Sequence, residues 1–171
     1  LEFRRVIFRS ADLEILARVY RSLRLIRRME EKIVEIYPSD KIKSPVHLSI
    51  GQESVSVGVC DVINPDDVVG ATYRGHAAYI GKGGDLKRMM AELYGKGTGR
   101  GAGKAGSMHL VAMSQNILGM SAVVGSTAPV AARYALALKH EGRARIVVRF
   151  LGDGATAGGV SSAQRRAGPA R

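Results

Sequence analysis

Residues 146–160, IVVRFLGDGATAGGV, constrain the fold more than any other stretch of the chain. A run of apolar residues, interrupted only by Arg149, stops abruptly at Gly152-Asp153-Gly154-Ala155-Thr156. That is the pattern of a buried parallel strand handing a loop to the carboxyl edge of a sheet, where the ligands of open α/β sheets bind. The glycines let backbone come close to a ligand, and Asp153 between them presents a hard carboxylate oxygen suited to magnesium carrying a phosphorylated cofactor. The tripeptide alone also fits an ordinary tight turn, because turns favour Gly and Asp. Arg149 is an awkward charge in such a strand and is read either as a sequence error or as snorkelling to an edge.

Upstream, residues 12–37 place Leu16, Val19, Tyr20, Leu23, Ile26, Ile33 and Ile36 at helical spacing, which predicts a long amphipathic helix. Its Arg21, Arg24, Arg27 and Arg28 alternate with acidic residues, so they form a solvated or subunit-facing surface in preference to a nucleic-acid stripe. Residues 51–62, rich in small side chains, predict a second helix. A short strand follows at 68–72, and a helix at 86–94 has Asp85 as its N-cap. Residues 123–125 read as a short strand or loop, and an alanine-rich helix with Pro129 near its start runs to His140 and stops at Gly142. Alternating helices and strands of this kind imply an α/β fold, a parallel sheet flanked by helices.

Residues 95–106 hold six glycines in twelve positions and cannot make a regular element; they are an ordered ligand loop or a flexible linker, expected to be mobile alone. A phosphate-binding Walker loop is excluded, since Thr98 stands where glycine is required and Ala105 follows Lys104. No apolar run approaches the ~20 residues of a membrane span, and a cytoplasmic location is expected. Cys60 is the only cysteine, which excludes an internal disulfide and a cysteine-clustered metal site; it is read as core. The net charge of +11 is inflated by the ends, because 1–10 carry +2 and 161–171 carry +3. Both ends are read as non-native tails around a domain at 11–160.

Five stretches in order, HLSIGQES (47–54), TYRGH (72–76), GKAGSMH (103–109), VVGSTAP (123–129) and the GDG segment, resemble the alpha subunit of the thiamine diphosphate-dependent dehydrogenase component of 2-oxo acid dehydrogenase complexes. The resemblance implies thiamine diphosphate and Mg2+ as cofactors. By that resemblance Tyr73 and Arg74 contact the diphosphate end, and Asp153 is a magnesium ligand. Gly154 and Ala155 lay backbone against the diphosphate, Val124 meets the aminopyrimidine through its main chain, and Gly125 lies beside it. His47 faces the reacting centre as the catalytic residue, while His76 and His109 are cofactor-proximal loop residues. Ala122 stands where the family usually has glycine.

The implied activity is oxidative decarboxylation of a pyruvate-like 2-oxo acid with acyl transfer to lipoyl. The implied partners are a beta subunit, in an alpha2beta2 heterotetramer, and a lipoyl-bearing acyltransferase. The family motif closes with Asn-Asn after a further helix and strand, and no asparagine follows Gly154 here. The chain is therefore expected to be the amino-terminal part of an incomplete sheet, with one of two side-chain magnesium ligands, inactive alone. An acetoin-cleaving enzyme of the same family is the alternative reading; a transketolase-like enzyme would share GDG without the other motifs. A basic nucleic-acid-binding module is the non-enzyme alternative.

Overall fold

The computed structural model describes residues 12–157, so the tails expected at 1–10 and 161–171 lie outside the described residues. In chain order the helices are α1 (Leu13–Ile36), α2 (Glu53–Val62), α3 (His76–Gly81), α4 (Leu86–Leu93), α5 (Thr127–His140) and the single turn α6 (Asp153–Thr156). Three parallel strands, β1 (Val68–Thr72), β2 (Ile117–Ser121) and β3 (Val147–Arg149), form one sheet in the order β2-β1-β3. β1 is central because its side chains are apolar or absent on both faces. Val68 and Val69 are wholly buried and Ala71 nearly so, and burying each valine contributes about 1.5–3 kcal/mol. Parallel neighbours require long crossovers, here made by α3, α4 and a loop before β2 and by α5 before β3.

α1 starts where Asp12 accepts a hydrogen bond from the Glu14 amide at 2.8 Å. Its apolar stripe is covered from the middle to the C-terminal end. Ile26 and Ile33 are buried, whereas Leu16 and Tyr20 toward the N-terminus are 44% and 62% exposed. Its arginines make ion pairs on the flank: Arg18 with Asp61 and Arg27 with Glu53, both at 2.6 Å. α4 starts at Asp85, whose carboxylate accepts from the amides of Lys87 and Arg88.

Two strands differ from the sequence expectation. β3 is three residues long and half-buried, with Ile146 and Leu151 about half exposed, because it forms one side of the sheet and among the described residues no strand pairs with its outer edge. Its ladder to β1 nevertheless reaches one residue further at each end, through Val68 N–H to Ile146 O and Phe150 N–H to Gly70 O, both 2.9 Å. β2 lies at Ile117–Ser121, just before the stretch read as a strand or loop. Residues 123–125 are the turn after it, closed by Ser126 N–H to Val123 O at 3.2 Å.

The glycine-rich loop at 95–106 also differs from a mobile linker. Glu92, on the buried face of α4, accepts hydrogen bonds from four of its amides: Gly101 and Gly103 on Oε2, Ala105 and Gly106 on Oε1, all at 2.7–3.0 Å. The glycines are required by proximity. A Cβ on Gly99 would lie 2.7 Å from the Glu92 Cα, and one on Gly103, whose φ is +77°, would lie 2.4 Å from the Gly95 carbonyl carbon.

Candidate functional site

The carboxyl ends of the three strands open into one cleft of about 560 Å³, within the roughly 300–1,000 Å³ of ligand pockets. Three strand-end segments build it, joined by residues of the 49–56 stretch and of α3 and α5. The first follows β1: Tyr73 and Arg74 leave the sheet directly above the strand, where Thr72 Oγ1 accepts from the Arg74 amide at 3.2 Å. The turn into α3 then needs Gly75, because a Cβ there would stand 2.8 Å from the Thr72 carbonyl oxygen. The second is the turn after β2, which contributes Val124 and Gly125. The third follows β3 and contributes Arg149, Asp153, Gly154 and Ala155. Tyr73, Arg74, Val124, Gly125, Asp153, Gly154 and Ala155 thus share one cavity although they span 83 positions.

His47 does not line this cleft. Its ring packs edge-on against Tyr73, with centroids 4.6 Å apart and planes at 63°, and its buried Nδ1 has no hydrogen-bond partner. It stands behind Tyr73, with one polar atom still to be satisfied.

His76 is placed differently from a cofactor-proximal loop residue. It is the first residue of α3 and wholly buried, its Nδ1 3.1 Å from Glu30 Oε2 and its Nε2 2.8 Å from Ser107 Oγ. Glu30 Oε1 accepts from the Ser49 amide at 2.9 Å. Ser49 Oγ meets the Arg74 carbonyl and the Ala77 amide, both at 3.4 Å. The TYRGH and GSMH stretches are therefore joined to each other through His76 and Ser107, and to α1 through Glu30. This buried set fixes the backbone that carries Arg74. His109 is exposed at the end of a 3-10 turn and does not line the cleft.

The GQE stretch divides in the same way. Gln52 lines the cleft. Glu53 turns away to accept from Arg27 Nε and from the Gly51 amide, and the Arg27 hydrogen bond holds its carboxyl below the usual glutamate range. Cys60 lies away from the cleft; burial pushes its thiol up to about 11, which makes it a poor nucleophile. Ser49, Ser121 and Thr127 also line the cleft; Ser49 and Thr127 fall inside the HLSIGQES and VVGSTAP stretches without a role assigned to them, and Ser121 lies outside every quoted stretch.

The groups present suit a phosphorylated cofactor. Arg74 and Arg149 supply cationic forks, and Asp153 is an exposed carboxylate. A Cβ at Gly125 or Gly154 would meet nothing within 4 Å, so a ligand can reach their backbone. Among the described residues no three His, Cys, Asp or Glu side chains gather to hold a metal. A magnesium ion at Asp153 would therefore complete its shell with phosphate oxygens, backbone and water, as that ion commonly does.

The model of the dehydrogenase E1 component matches residues 21–163. The chain belongs to that family. As an E1 component chain it is 39% identical over 145 residues to the alpha subunit of acetoin:2,6-dichlorophenolindophenol oxidoreductase from Cupriavidus necator, covering 85% of this chain and 44% of that relative. It is 39% identical over 136 residues to the pyruvate dehydrogenase E1 component subunit alpha of Rickettsia prowazekii, covering 80% of this chain and 42% of the relative. The somatic mitochondrial form of Sus scrofa is 38% identical over 136 residues, covering 80% and 34%. The chain spans about two-fifths of the length of these curated relatives. No helix among the described residues is long and apolar enough to cross a membrane.

Proposed function

We propose that this E1 component chain is the cofactor-holding part of the alpha subunit of a 2-oxo acid dehydrogenase. It would act in the cytoplasm on a pyruvate-like acid, with thiamine diphosphate and Mg2+, beside a beta subunit and a lipoyl-bearing acyltransferase. What supports this reading is the meeting of seven motif residues from three distant stretches in one cleft at the carboxyl edge of the sheet. When bound, thiamine diphosphate supplies the electron sink for decarboxylation.

Arg74 binds diphosphate oxygens with its planar fork, and Tyr73 adds a hydroxyl beside it. Asp153 gives one oxygen to the magnesium ion. Gly154 and Ala155 lay backbone against the diphosphate, while the main chain at Val124 and Gly125 positions the aminopyrimidine. His47, outside the cleft and packed edge-on against Tyr73, would reach the substrate carboxylate only if Tyr73 moved aside and uncovered its unpaired Nδ1.

The test is a paired measurement with a beta subunit supplied. Magnesium-dependent binding of thiamine diphosphate is followed by calorimetry, and lipoyl-dependent turnover of pyruvate is followed in the same preparation. Both should appear together, and Arg74→Ala and Asp153→Ala should each abolish binding. Cleavage of acetoin without turnover of any 2-oxo acid would move the reading to the acetoin-cleaving relatives. Unchanged binding in both variants would overturn the site.

A further inference from the structure

Arg149 is the charged cleft residue that lies outside the five quoted stretches. It closes β3 four residues before Asp153, paired in register with Gly70 of β1. Cross-strand partners share a face of the sheet, and a Cβ built on Gly70 would meet nothing within 4 Å, so the space beside the arginine is open. Its Nε is buried and has no hydrogen-bond partner, and none of the ion pairs among the described residues includes it. Burial works against its charge, yet a guanidinium keeps its proton in proteins. A half-buried cation whose Nε is closed off from water and from every protein acceptor is unfavourable unless a group of opposite charge completes it. As a fork of donors in fixed geometry it suits planar or tetrahedral anionic oxygens.

We propose that Arg149 is a second anion-binding arm of the cleft, taking phosphate oxygens of the bound ligand from the end of β3 while Arg74 takes them from the turn after β1. The assignment rests on the cofactor reading above. The neighbouring Asp153 decides which anion is favoured. Its carboxylate repels a bare carboxylate ligand, whereas a phosphate group reaches both residues at once by sharing magnesium with Asp153 and hydrogen bonds with Arg149.

The experiment titrates the chain with inorganic pyrophosphate in the presence of Mg2+, and separately with pyruvate, in the unaltered protein, Arg149→Met, Arg149→Lys and Arg74→Ala. Arg149→Met should weaken pyrophosphate binding at least tenfold, Arg149→Lys should weaken it less, and the Met variant should lose part of the salt dependence. Without ligand, Arg149→Met should melt at a higher temperature, since a half-buried guanidinium with an unsatisfied Nε is replaced by an apolar chain of similar reach. An arginine that only supports the strand would give the reverse, a lower melting temperature with unchanged affinity, and that result overturns the proposal. Loss of pyruvate binding alone overturns it too. If Arg74→Ala abolishes pyrophosphate binding while Arg149→Met leaves it intact, the Arg149 assignment fails and the cofactor reading stands. If the unaltered chain binds no pyrophosphate, both fall.

Discussion

Glu92 shows how much a single buried carboxylate can organise. Burial pushes its carboxyl up, but the amides of Gly101, Gly103, Gly106 and Ala105 together outweigh that and hold it below the usual range. Hydrogen bonds to a charged acceptor are the stronger kind. Glu92→Ala should therefore lower unfolding free energy by about 2–4 kcal/mol, measured by urea titration, and the amides of 101–106 should lose their exchange protection. Protection retained in the variant would show that the loop is held by something else. The glycine count of 95–106 could not reveal this, because a linker and a loop wrapped on a carboxylate have the same composition; the signal was outside the loop, an acidic residue on the buried side of α4 beside Met89 and Leu93. His76 was equally ambiguous. Its spacing after Tyr73-Arg74 marks a motif, but only the fold shows its ring between Glu30 and Ser107. His76→Ala removes the partner of Glu30 Oε2 and of Ser107 Oγ and leaves a cavity, so it should cost about 2–4 kcal/mol. His109→Ala, on an exposed ring, should change stability little, and an equal loss from both would contradict the separation of their roles.

At the level of elements, the sheet is unequal across its width. β1 is paired on both sides and buried on both faces, whereas β3 is paired with it along one edge and half-buried. Native-state hydrogen exchange should follow that order, with the amides of Val69 and Ala71 protected to near the global unfolding free energy and those of the β3 segment opening at lower cost. Equal protection would show that β3 is covered as β1 is. The same inequality explains what the sequence disclosed. β1 was legible at its observed bounds because a short apolar run lies between Asn64-Pro65-Asp66-Asp67 and a Tyr-Arg pair, and α4 because Asp85 is a capping residue. β2 was missed: Leu118, Gly119 and Met120 show neither alternation nor β-branched enrichment, and the glycine has a φ of 138° within a register shift. The strand is made by its pairing to β1, a non-local cause that local propensity does not carry. β3 was over-read in length because apolar side chains at 146 and 151 describe what a sheet could bury, and burial depends on what stands beside it.

The molecule as a whole depends on carboxylates kept ionised by their surroundings. The Arg27 hydrogen bond lowers Glu53, the Ile146 amide lowers Asp67 where it joins the starts of β1 and β3, and the loop amides lower Glu92. A depressed folded-state value adds stability that is full above the unfolded value and is lost as pH falls through the folded one. The melting temperature should thus hold from neutrality to about pH 4.5, the ordinary glutamate value, and drop below it, with Glu92→Ala showing the shallower drop. Ligand stabilisation is set at this same scale, because the cleft takes walls from all three strand-end segments. One wall is the lightly held β3, Val123 and Val124 on another are 66% and 62% exposed, and Asp153 stands in the open. Such a cleft covers a bound molecule incompletely. A ligand at a hundredfold excess over its dissociation constant stabilises by about 2.7 kcal/mol, and at a concentration equal to that constant by only about 0.4 kcal/mol. With thiamine diphosphate and Mg2+ alone, at levels that saturate the chain when a beta subunit is present, the gain should lie near the lower figure. Adding the beta subunit should raise it toward the higher one, and Asp153→Ala should remove the magnesium-dependent part. Thermal unfolding across these three conditions decides the matter: full protection of the chain alone would mean that its described walls already enclose the cofactor.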